Sequence, residues 1–113
     1  MDCIFCKIIA SEIPAEIVYE DAEFVAFKDI HPLAPVHVVL IPRAHIPSIA
    51  DARQKDAELL GRMLLTSTKV AAIVKIAESG YRLVINYGAD ANLVVPHLHL
   101  HIIGGRKLSD KVG

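Results

Sequence analysis

The sequence predicts an α+β domain: a five-stranded antiparallel meander with one short and one long helix on one face. Three observations carry that expectation. Five short runs are rich in β-branched and apolar residues, as strands require. One long stretch between Asp56 and Gly80 repeats its apolar residues at helical spacing instead. Successive strands are joined by short turns, which favours antiparallel neighbours.

The elements follow in order. Residues 3–10 place Ile4, Phe5, Ile8 and Ile9 at helical spacing, and Pro14 closes the segment. Ile17 to Tyr19 and Phe24 to Lys28 read as strands joined by the acidic turn Glu20-Asp21-Ala22-Glu23. Asp29 to Pro35 holds two prolines and reads as loop, and His37 to Ile41 as a strongly apolar strand ending at Pro42. Asp56 then suits a helix N-cap, with Leu59, Leu60, Met63, Leu64, Val70, Ala71, Val74 and Ala77 at helical positions and Gly80 as terminator. Such a helix has about 23 residues and a length of about 35 Å. Gly61 inside it costs about 1 kcal/mol relative to alanine unless close packing compensates. Tyr81 to Asn86 is a fourth strand, and a loop from Tyr87 to Leu93 leads to a fifth, which carries three histidines.

At 113 residues the chain is one domain, 1–113, with no repeat, linker or low-complexity segment. Its 53% hydrophobic content is high for a chain with no apolar run near the roughly 18 residues that span a bilayer. That excess points to a buried subunit interface, with the Gly61 helix and the Tyr81–Asn86 strand pairing across a homodimer. No membrane partner is expected, and with neither a basic n-region nor a long apolar h-region at the start the expected location is cytoplasmic. Twelve Lys and Arg balance thirteen Asp and Glu without a basic block, so no nucleic-acid polymer is expected as a partner. Small anions stay open.

The most informative stretch is His97-Leu98-His99-Leu100-His101. In a strand, alternate side chains share a face, so the three imidazoles line one side while Leu98, Leu100 and Ile102 line the other. The leucine side buries itself and the imidazole side faces a cleft. One metal held by all three is disfavoured, because an extended strand separates the outer alpha carbons by roughly 13 Å. A row of imidazoles suits an extended anionic substrate better.

Pro96-His97-Leu98-His99-Leu100-His101-Ile102-Ile103 resembles the defining motif of the histidine-triad family. Four further blocks fit in order: Cys3 to Ile9 with Glu12-Ile13-Pro14; Ala26-Phe27-Lys28-Asp29-Ile30 with Ala34 to Arg43; Tyr81 to Asn86; and Gly104-Gly105-Arg106-Lys107-Leu108. The last two are similar to the purine-nucleoside phosphoramidase branch. The resemblance implies a homodimer whose sheet continues across the twofold axis, and hydrolysis at the alpha-phosphate of a purine nucleotide. It makes His99 the nucleophile of a nucleotidyl-histidine intermediate, flanked by His37, His97 and His101, with a neighbouring imidazolium as general acid to the leaving amine. Asp29 matches the ribose-binding carboxylate; Phe5, Ile8, Ile13, Phe27 and Ile30 match the apolar slot for the base; Asn86 matches a phosphate-side or site-organising amide. No cofactor is required for that chemistry.

Ala91-Asn92-Leu93-Val94 departs from the Gly-Gly-Gln-Ser or Gly-Gly-Gln-Thr of this branch, removing two polar side chains near the phosphate. A lost charge-assisted bond is worth about 1.5–3 kcal/mol. The alternative to a hydrolase is therefore a nucleotide-binding module with weak or lost catalysis. His31 stands where a small polar residue is more usual, and the tail Ser109-Asp110-Lys111-Val112-Gly113 lacks the Trp-Pro-Pro-Gly ending. Cys3-x-x-Cys6 leaves two readings open: reduced cysteines packed on a short helix, or a structural zinc completed by His45 and His97, as in some bacterial members.

Overall fold

In the computed structural model, which describes residues 3–111, the apolar runs form five antiparallel strands: β1 (Ile17–Glu20), β2 (Phe24–Lys28), β3 (Val36–Pro42), β4 (Tyr81–Val84) and β5 (Leu100–Gly104). The short helix α1 (Ile4–Ile9) precedes them, and the long helix α2 (Ala57–Ile73) joins β3 to β4. The tail residues Val112 and Gly113 lie outside the described residues. Sheet order is β1-β2-β3-β5-β4, so the expected meander holds through the first three strands and then breaks. Burial explains the insertion. Of the last two strands β5 is the more deeply buried and takes the interior position, leaving half-exposed β4 at the edge.

The helices lie on opposite faces of the sheet, not on one as expected. Met63, Val70 and Ala71 of α2 pack on Phe24, Ala26, Val38, Leu40, Leu100 and Ile102. The alternate residues Val25, Phe27, Val39 and Ile41 pack on Cys3 and Phe5 at α1. Because β2 and β3 are apolar on both sides, each face must be covered, and the short helix covers the second.

Helix α2 also stops earlier than Gly80. Lys75 takes the left-handed conformation (φ 65°), its N–H donates to the Ala72 carbonyl, and Ile76 N–H donates to the Ala71 carbonyl. This is a Schellman closure with a lysine where glycine is usual. Ile76 is 2% exposed in the core beside Ala71, and burying it turns the chain off the helix axis. At the other end Asp56 precedes α2 as expected, but its carboxylate accepts from Arg53 N–H and caps none of α2's own amides. Helix α1 closes before Pro14, at the left-handed Ser11. No helix of the described residues is long and apolar enough to cross a membrane.

The histidine stretch departs most from expectation. Strand β5 begins only at Leu100; residues 95–97 form a bend, and Leu98 N–H donates to the Ile46 carbonyl outside the sheet. Leu98, Leu100 and Ile102 do share the α2-side core. The three imidazoles stay on the opposite, α1 side, where Phe5 packs edge-on to both His97 and His99, but they do not form an even row. His99 and His101 stay adjacent, with ring centroids 5.0 Å apart, while the bend carries the His97 ring toward Cys3, Cys6 and His45.

Candidate active site

Two clusters meet at the start of β5. The first consists of His37, His99, His101 and Asp29. The loop between β2 and β3 is closed by Asp29 N–H donating to the His37 carbonyl, which brings Asp29 and His37 together. Leu33 N–H donates to His37 Nδ1 at 3.1 Å, so that nitrogen holds the lone pair and Nε2 carries the proton. His37 Nε2–H then donates to His101 Nδ1 at 2.9 Å, which fixes the proton of His101 on its own Nε2. Asp29 Oδ2 lies 3.5 Å from His37 Nε2. Its other oxygen accepts from His31 N–H, so Asp29 does cap the proline loop, with Oδ2 left on the histidine side.

His99 is fixed independently. Its Nδ1–H donates to the His97 carbonyl at 2.6 Å, so Nε2 carries an uncommitted lone pair. Phe5 packs edge-on to the His99 ring at 5.1 Å and to Phe27 at 5.4 Å. Ile8 joins that apolar group. Ile13 is half-buried outside it, and Ile30 is 84% exposed at the loop's edge. Asn86 donates its amide to the Ala91 carbonyl, anchoring the loop that replaces the glycine-rich stretch. Asn92 there adopts the left-handed conformation that asparagine tolerates, and Val94 points outward at 85% exposure. A cavity of about 670 Å³ opens beside His37 and His101 and extends past Asn86 to Arg82.

Burial pushes His101 down to about 4, with His99 and His37 adding to the effect and Asp29 opposing it. Burial likewise lowers His37, against Asp29. Both shifts favour the neutral rings at neutral pH in the free protein.

The second cluster is Cys3, Cys6, His45 and His97, whose donor atoms all lie within 4.8 Å of one another. His97 Nδ1 is 3.4 Å from Cys3 Sγ, 3.6 Å from Cys6 Sγ and 3.1 Å from His45 Nδ1, and Cys6 Sγ is 3.3 Å from His45 Nδ1. Ligands around tetrahedral zinc are about 3.3–3.8 Å apart, so the set fits that ion. His97 Nε2–H donates to the Pro42 carbonyl at 2.8 Å, the outer-shell contact that turns the opposite lone pair inward. Burial, then the neighbouring Cys3, pushes the Cys6 thiol above its ordinary value, which a bound cation would reverse. The His97 ring is fully buried in this cluster, so the residue reaches the catalytic group through its carbonyl alone. Sequence reasoning missed the main-chain groups of Leu33, Pro42 and His97, which no side-chain pattern announces. It also missed Arg82, although strand alternation already places it on the Asn86 side.

A five-stranded antiparallel sheet presenting a lone-pair imidazole beside a linked histidine pair and a nucleoside-sized cleft defines the histidine-triad class of nucleotide-handling folds. The HIT domain model matches residues 10–108, and the chain belongs to the HIT family. Among its relatives, an uncharacterized HIT-like protein of Synechocystis is 54% identical over 108 residues, covering 96% of this chain and 94% of that one. The purine nucleoside phosphoramidase of Escherichia coli K12 is 44% identical over 107 residues, covering 95% and 90%. A crystal structure of a HIT family hydrolase from Legionella pneumophila superposes with a TM-score of 0.95 at 44% identity, covering 99% of this chain and all of that one. These likenesses place the chain among HIT hydrolases.

Proposed function

We propose that the protein is a purine-nucleoside phosphoramidase that hydrolyses the phosphorus–nitrogen bond of a purine nucleotide through His99. The observation that carries this is the His99 tautomer: with Nδ1–H held by the His97 carbonyl, Nε2 is the nucleophile without prior deprotonation. The 44% identity to a phosphoramidase supports the substrate class. His99 Nε2 bonds to the alpha-phosphorus as the bond to nitrogen breaks, its electron pair leaving with the amine. The Nδ1–H, now on a cationic ring, strengthens its bond to the His97 carbonyl. His101 is neutral in the free protein. A phosphate anion within hydrogen-bond reach raises its proton affinity, so a proton taken up with the substrate goes to Nδ1 as His37 Nε2–H turns to Asp29 Oδ2, 3.5 Å away, and the Nε2 proton passes to the departing amine. Water then attacks phosphorus, gives its proton to His101 and releases His99 and the nucleoside monophosphate. Asp29 Oδ2 takes the ribose hydroxyls, and Phe5, Ile8 and Phe27 offer the base an apolar wall.

Cys3, Cys6, His45 and His97 would hold zinc as a structural ion, and its chemistry is to keep both thiolates and the His97 ring in place. The protein acts as a homodimer in the cytoplasm: Gly61, Leu64, Leu65 and Thr68 form an exposed face of α2, and Leu83 is exposed on edge strand β4. Incubation with adenosine 5′-phosphoramidate tests the activity, with AMP release abolished in His99→Ala and its fold unchanged. AMP binding without turnover in the parent protein would favour the binding-module reading, which the apolar Leu93 and outward Val94 support.

A further inference from the structure

The cavity beside His101, whose Asp29 end the phosphoramidase reading gives to the ribose, has a second, cationic end that this reading does not use. Arg82, Arg106 and Lys111 line that end together with Asn86, and the one carboxylate of the cavity, Asp29, lies beside His31 and His37. None of the three cations has a carboxylate partner among the described residues. Arg82 donates to the Ser109 carbonyl at 2.7 Å, and Arg106 to the carbonyls of Lys107 and Leu33. Neutral carbonyls fix the guanidinium groups without cancelling their charge. Their placement follows from register. Val84 pairs with His101 and Arg82 with Ile103, so Arg82 stands one same-face step, roughly 7 Å, beyond His101 along β5. His99 lies on the other side of His101 and does not line the cavity. An in-line displacement by His99 sends the leaving group away from it, toward Ile103 and Arg82.

We infer that this cavity is a leaving-group subsite for oxyanions, in which Arg82 and Arg106 select substrates whose departing amine carries a carboxylate or a phosphate. This rests on the phosphoramidase reading for the position of phosphorus. It adds that the amine lost is part of an anion and not ammonia or a simple alkylamine. A guanidinium presents paired donors to either oxyanion, and the polar Asn86 side and apolar Ile103 leave room for a short carbon stem between the two charges.

The test compares kcat/KM for three adenosine 5′-phosphoramidates: N-linked glycine, the neutral isostere glycinamide, and α,β-imido-ADP. At least one anion is expected to exceed glycinamide by about tenfold or more, the scale of one charge-assisted contact. The faster anion identifies carboxylate or phosphate as the source. The ratio falls toward one in Arg82→Gln/Arg106→Gln and is largely kept in Arg82→Lys/Arg106→Lys, which retains both charges. Because each ratio is taken within one variant, a general loss of activity or stability cancels. Equal kcat/KM for all three compounds in the parent protein overturns the inference. If no phosphoramidate is turned over, the catalytic reading fails, and calorimetry judges the subsite alone. ADP must then bind more tightly than AMP, with the difference lost in the double variant; equal affinities overturn the inference.

Discussion

Replacing His101 with asparagine will flatten the acid limb of the stability curve. The His101 ring is held near 4 by burial, while an unfolded chain titrates it near 6.5. Between those values the unfolded state binds a proton that the folded state refuses, so stability rises with pH through this window. It is lost as pH falls from about 6.5 to about 4. Two and a half pH decades at about 1.4 kcal/mol each give an upper bound of about 3.5 kcal/mol, and partial solvent access reduces this to about 2 kcal/mol. Asparagine can still accept from His37 Nε2–H but cannot titrate. His37 and the Cys–His cluster also respond to acid, and both are retained in the variant, so the comparison largely cancels them. Urea unfolding at pH steps from 8 to 4, with equal m-values as the check on two-state behaviour, measures the difference. The parent protein should lose about 2 kcal/mol more than His101→Asn across the window. Curves that run parallel within about 0.5 kcal/mol would refute the description of His101 as a buried neutral ring.

Three other outcomes are expected. Protein purified without added metal will contain about one zinc per chain by elemental analysis, and Cys6→Ser will release it; under about 0.2 zinc per chain sinks the structural-ion proposal. Gly105→Ala will cost about 1–3 kcal/mol by chemical denaturation, since φ is 91° there and the new Cβ would lie 3.0 Å from Pro35 Cβ and 3.1 Å from Val36 N. Wild-type stability in that variant would mean the β5 exit is looser than its geometry indicates. Sedimentation equilibrium at micromolar concentration will give twice the 12.3 kDa chain mass, and a monomer mass refutes the dimer.

What the sequence made legible was local. The apolar runs at Phe24–Lys28 and His37–Ile41 announce strands because neither face carries enough polar groups for solvent, and Leu98, Leu100 and Ile102 do share one face. The four residues of the Cys–His cluster could be singled out by type, and the fold brings their donor atoms together. What escaped depends on contacts distant in sequence. Nothing near His97 announces that Leu98 N–H will bind the Ile46 carbonyl, the contact that accompanies the bend before β5. The insertion of β5 between β3 and β4 is decided by relative burial of two strands, which periodicity does not rank. The end of α2 at Lys75 reflects the pull of Ile76 into the core against the preference for glycine. Leu33, whose amide sets the tautomers of two histidines, is recognisable only by where its backbone falls.

His97 belongs to both clusters, through its ring on one side and its carbonyl on the other. Sequence drift at the two cysteines is therefore felt at His99, even though neither thiol lines the cleft. A lineage that discards Cys3 or Cys6 leaves the His97 ring to the Pro42 carbonyl, His45 and Phe5, with less to fix the carbonyl that aims His99. The same holds for anyone redesigning the protein: an apparently remote serine at position 3 or 6 is an edit to the support of His99, and under the proposed mechanism its first symptom would be slower chemistry in a protein that still looks folded.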